Sequence, residues 1–241
     1  AYYLLSYAAM GLRAAEQITS PCIGREAELD TILRLVEENV SKSGGFIALT
    51  GPPGGGKSTL LTEAGKRLSR AGLTVLAAKC SPGLPSYQPI SQILNALLSN
   101  IRSPITTRQQ RDTAEQILET ITGGRDDANN RPDQGRRIAF FDQLADLLRQ
   151  CSNERPLALL IHDIDRADHA TQNIVSYLAR VLTCNDELST GNELHGAIVA
   201  TAGSVASLAR DRQWTTGVAF SQVELGKMNV EAIRAYLSSD A

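Results

Sequence analysis

The apolar residues of this chain fall into two kinds of run, short and unbroken or longer and periodic, and the two kinds alternate. Five runs have strand length: Phe46–Thr50, Thr74–Lys79, Leu157–Ile161, Ala197–Thr201 and Gln222–Leu225. Between them apolar positions recur at helical spacing, as in the stripe Leu60, Leu61, Ala64 and Leu68. Helices are predicted at about 25–41, 57–71, 89–101, 107–121, 133–151, 171–183, 204–212 and 229–239, the last capped by Asn229. Apolar runs without polar alternation suit strands buried on both faces, so the pattern predicts an α/β fold, a five-stranded parallel sheet with helices on each side.

Two polar stretches interrupt the pattern. Thr122–Gly135 has almost nothing to bury and reads as a mobile loop, and Asn185–Gly196 reads as a second irregular segment. Tyr2, Tyr3, Leu4, Leu5, Tyr7 and Met10 crowd a helix-prone segment that closes at Thr19-Ser20-Pro21. The expected organisation is therefore a tail of some upstream element over 1–20 and one domain over 21–241, cut from a longer polypeptide.

Directly after the first strand run stands Gly51-Pro52-Pro53-Gly54-Gly55-Gly56-Lys57-Ser58-Thr59, which fits the phosphate-binding pattern G-x-x-x-x-G-K-[ST] in a strand-to-helix context. Glycines let the backbone wrap a triphosphate, and the N–H groups at the helix start point at it. Lys57 is expected to reach the β- and γ-phosphates and Ser58 to offer its hydroxyl to Mg²⁺, with Thr59 supporting the loop.

Composition narrows the class further. A length of 241 residues with 42% apolar content can bury a substantial core. The net charge of -2 gives no electrostatic case for nucleic acid, and no basic tract is visible. Cys22, Cys80, Cys151 and Cys184 form no C-x-x-C pair, so reduced thiols are expected rather than a zinc site or a disulfide framework. No apolar stretch approaches the roughly 20 residues of a spanning helix, and no signal-peptide pattern appears, which makes the cytoplasm the expected compartment.

Phosphoanhydride hydrolysis also needs a carboxylate at the end of a neighbouring strand. Leu157–Ile161 alone among the strand runs ends this way, in His162-Asp163-Ile164-Asp165. Asp163 and Asp165 are thus the candidate catalytic acids.

Four stretches resemble the ATPase module of the STAND group, close to AAA-type and origin-recognition-like ATPases and found in large LuxR-type regulators and bacterial kinase- or cyclase-fused ATPases. They are Pro21-Cys-Ile-Gly-Arg-Glu-Ala-Glu-Leu29, the phosphate loop, Leu84-Pro-Ser-Tyr-Gln-Pro-Ile90, and the run from Phe140 to Asp168. The resemblance implies a P-loop NTPase three-layer sandwich with nucleotide at the C-terminal edge of the strands. It places Ile23 and Gly24 near the adenine, makes Thr201 the sensor of the γ-phosphate, and gives Asp163 the metal-side or water-activating role. Aligned on Arg166-Ala167-Asp168, the first acid of the family falls on His162, a neutral imidazole that does not suit Mg²⁺.

The function so implied is an ATP-binding, slowly hydrolysing switch in a multidomain signalling or transcription-regulating protein. Expected partners are ATP or ADP with Mg²⁺, the flanking domains of the chain, and further copies of it on ATP binding. No membrane is expected, and nucleic acid only through domains outside this segment. A DNA-directed ATPase, such as a loader or transposition partner, and a nucleotide-binding scaffold without hydrolysis are the alternatives.

Overall fold

The computed structural model describes residues 22–41, 44–99, 107–123, 134–183, 195–204 and 219–228, together with 230, 233, 234 and 238. The described chain runs α1 (Glu26–Ser41), β1 (Gly45–Thr50), α2 (Lys57–Arg70), β2 (Thr74–Lys79), α3 (Gln88–Ser99), α4 (Arg108–Gly123), α5 (Gln134–Glu154), β3 (Leu157–His162), a 3₁₀ turn (Ile164–Arg166), α6 (His169–Thr183), β4 (Gly196–Ala202) and β5 (Phe220–Glu224).

All five strands are parallel, in the order β2-β3-β4-β1-β5. Every residue of β1, β3 and β4 is buried, which is why their sequences carry no polar alternation. The edge strands β2 and β5 are only partly buried, and their exposed or half-buried positions include the polar Thr74, Lys79, Ser221, Gln222 and Glu224. Side-chain alternation sorts the central strands onto two faces. Ile47, Leu49, Ala158, Leu160, Ala197 and Val199 pack under α1 and α2, against residues such as Ile32, Leu60 and Leu68. Phe46, Ala48, Leu159, Ile161, Ile198 and Ala200 pack under α3 to α6, against residues such as Leu94, Leu148 and Ile174.

The predicted α/β sandwich with five parallel strands is therefore the observed fold. Boundaries shift where capping and packing outrun periodicity. Helix α4 extends through Thr122 and Gly123, and α5 begins at Gln134, so helices enter the predicted loop from both sides. Helix α6 starts at His169 rather than 171, because Asp168 caps it: the Thr171 N–H donates to Asp168 Oδ1 at 3.0 Å. Strand β5 ends at Glu224, leaving Leu225 just past it. The expected tail over 1–20 and, apart from Ser204, the helix at 204–212 lie outside the described residues, as does most of the helix at 229–239. No described helix is long and apolar enough to cross a membrane.

Candidate nucleotide site

The loop between β1 and α2 is shaped by backbone geometry. Gly51 has φ 152°, and a Cβ there would lie 2.8 Å from the Leu225 carbonyl oxygen, so only glycine lets the chain after β5 approach the loop this closely. Gly54 and Gly56 adopt φ 77° and 87°. Gly56 occupies the N-cap of α2 without a side-chain cap, and no acidic residue lies in the first turn. The leading N–H groups of α2 are thus left for an anion. Pro52, Pro53, Gly54 and Ser58 are exposed, and Gly55, Gly56, Lys57 and Thr59 are half-buried. The Gly55 N–H donates to the Pro52 carbonyl at 3.1 Å, closing the turn. Lys57 Nζ donates to the carbonyls of Gly51 at 2.7 Å and Pro52 at 2.9 Å, which holds the ammonium over the mouth of the loop.

Across the sheet, β3 ends on His162, which is 3% exposed. Its alternation with Ala158 and Leu160 puts it on the α2 side, in register with Lys79 of β2. Burial, and then the charge of Lys79, lower its pKa from 6.5 to about 4, so the imidazole is neutral at physiological pH. Asp163 follows in the left-handed conformation, φ 55° and ψ 47°. Its N–H donates to Thr201 Oγ1 at 2.8 Å, and its carbonyl accepts from the Arg166 N–H at 2.9 Å. Thr201, at the end of β4, is fully buried. Asp165 Oδ2 accepts the Gly203 N–H at 2.9 Å. The structure thus gathers Asp163, Asp165 and Thr201 at the β3–β4 edge, with the Thr201 oxygen engaged by the Asp163 backbone.

Ile23 is half-buried and Gly24 exposed, in the turn ahead of α1. Gly24 has φ 71°, and its N–H donates to Glu26 Oε1 at 3.1 Å. Arg25, part of the opening motif, is 6% exposed and acts as an internal strut. Its guanidinium donates to Glu28 Oε1 at 2.7 Å and to the Gly226 carbonyl at 2.5 Å. Sequence reading missed the second contact, since nothing in the spacing of residues 25 and 226 signals it. It also missed Gln222, whose amide donates to Thr50 Oγ1 at 3.1 Å under the loop. A cavity of about 240 Å³ lies elsewhere, between the turn after β2 and Arg166–Asp168, and no residue of the phosphate loop lines it.

Among the described residues no group of three or more His, Cys, Asp or Glu side chains suits a metal ion. The two residues expected at a metal, Ser58 and Asp163, would offer a hydroxyl and a carboxylate. Both are hard oxygens, which fits Mg²⁺ held mainly by phosphate oxygens and water.

A parallel sheet with a glycine-built anion loop at its C-terminal edge defines a nucleotide-binding P-loop protein. A family profile described as the AAA ATPase domain matches residues 21–189, well over half the chain, and the chain belongs to that family. No curated protein matches it. Among solved structures it is similar to Cdc6p from Pyrobaculum aerophilum (TM-score 0.54, 16% identity, 92% of this chain and 49% of that one). It is also similar to the Aeropyrum pernix ORC2 protein solved as ADPNP-ADP complexes (TM-score 0.51, 18% identity, 89% and 50%). A Walker-type ATPase of Pyrococcus abyssi is comparable (TM-score 0.50, 14% identity, 92% and 58%). At these identities the likeness is one of fold, and the chain spans about half the length of the first two structures.

Proposed function

We propose that this domain is an ATP-binding, slowly hydrolysing nucleotide switch that reports its ligand state to flanking domains of a signalling or transcription-regulating protein. The observation that carries the reading is the pairing of an open phosphate loop with a buried, neutral His162 where the family places an acid. Lys57 leaves its two carbonyls and neutralises the β- and γ-phosphates, while the first-turn N–H groups of α2 bind the same oxygens. Ser58 and Asp163 would hold Mg²⁺, which would supply charge to offset the phosphates. Asp163 orients the attacking water. With one carboxylate instead of two, binding is retained and turnover is slow, which suits a switch whose states differ in nucleotide affinity.

The test is ATP turnover measured beside ATP affinity in wild type and His162→Asp. Restoring the carboxylate is expected to raise turnover by on the order of 10-fold with affinity nearly unchanged. Fast wild-type turnover, or a slower His162→Asp enzyme with intact binding, would sink the reading.

A further inference from the structure

Beyond Ile161 and Ala200, the last paired residues of β3 and β4, the two chains continue side by side without a ladder. Two hydrogen bonds of opposite sense take its place. From β3 to β4 the Asp163 backbone donates to the Thr201 side chain, and from β4 to β3 the Gly203 backbone donates to the Asp165 side chain, at 2.8 and 2.9 Å. The segment they hold contains Asp163 in the left-handed region at φ 55°, which aspartate tolerates better than most residues with a Cβ, and the two bonds bracket it. The second bond also explains a glycine. A Cβ at residue 203 would sit 3.3 Å from Asp165 Oδ2, tighter than ordinary contact, so the missing side chain lets the carboxylate reach the backbone.

We propose that Asp165 is a positioning residue whose carboxylate fastens the acidic turn after β3 to the backbone leaving β4, so that the settings of Asp163 and of Gly203 change together. A carboxylate engaged with the backbone N–H just past the neighbouring strand ties the turn to that strand's end. Nucleotide contacting Asp163 shifts this turn, and Asp165 passes the shift to Gly203. The direction of signalling rests on the proposed nucleotide reading, whereas the brace itself does not.

Amide hydrogen exchange on the whole chain, with and without saturating ADP and Mg²⁺, separates the two, with calorimetry measuring ADP affinity. Without nucleotide, Asp165→Ala is expected to speed exchange at Gly203 by about 10-fold, while Asp165→Asn, which keeps an acceptor oxygen, stays within about 3-fold of wild type. ADP should slow exchange at Gly203 in wild type and Asp165→Asn but not in Asp165→Ala, although all three bind ADP. Gly203→Ala, which crowds the carboxylate while leaving Asp165 itself unchanged, should behave as Asp165→Ala does and guards against a variant that fails to fold. Equal exchange in wild type and Asp165→Ala would overturn the brace. Bound ADP with no change at Gly203 in wild type would overturn the coupling. Absence of ADP binding in every variant would instead defeat the nucleotide reading and leave the brace to be judged by the nucleotide-free comparison.

Discussion

Lys57 and His162 show how differently two polar side chains can be held at one sheet edge. Lys57 is half-buried on loop carbonyls it can exchange for phosphate oxygens, whereas His162 is sealed in place and kept neutral by burial and by Lys79. The folded pKa of about 4 lies below the ordinary 6.5, so folding favours the neutral imidazole. That contribution is fully present above about pH 6.5 and is lost as pH falls toward 4. Between pH 7 and 5 it should cost wild type on the order of 2 kcal/mol beyond what a His162→Gln variant loses, measured by urea unfolding at both pH values. Parallel losses in the two proteins would mean that the imidazole is not held neutral. The residue identity at 162 was legible in the sequence, but its burial and its cationic neighbour on β2 were not, because strand register brings residues 79 and 162 together.

Helix α6 illustrates what an element needs besides periodicity. Asp168 accepts from the Thr171 N–H and hydroxyl, and the Thr171 oxygen accepts from the Tyr87 N–H at 3.0 Å. The cap therefore also anchors the turn after β2, where Tyr87 takes φ 62° and sets its ring against Phe140, centroids 5.3 Å apart. Asp168→Ala removes the cap and frees the turn, and it should destabilise the domain by about 1–2 kcal/mol. Chemical denaturation would measure the loss, and nucleotide affinity should be nearly unchanged because the cap lies off the phosphate loop. A loss below about 0.3 kcal/mol would show that water replaces the carboxylate. Apolar spacing predicted this helix two residues short, since a cap contributes hydrogen bonds rather than an apolar stripe.

At the scale of the molecule, ligand binding is expressed as stability of the sheet that carries the loop. At ADP about 100-fold above Kd, binding adds about 2.7 kcal/mol, or roughly 5–10 °C in Tm for a domain of this size. Lys57→Ala, losing a charge-assisted contact and about 10-fold in affinity, should show roughly half of that shift at the same ADP concentration, read by thermal melts. An identical shift in both proteins would remove Lys57 from the site.

The sequence by itself determined the strands, the faces they bury and the phosphate loop, because each depends on local spacing: unbroken apolar runs for β1, β3 and β4, and glycines with Lys57 and Ser58 between a strand and a helix. Strand order belonged to the tertiary structure. In the chain β2 intervenes between the loop and the acidic strand, but in the sheet β4 does, and β2 lies at the edge. That placement sets Thr201 beside Asp163 and Gly203 beside Asp165. The Arg25–Gly226 strut and the contact of Leu225 with Gly51 likewise join residues far apart in sequence, and such pairings arise only when packing fixes which strand ends meet.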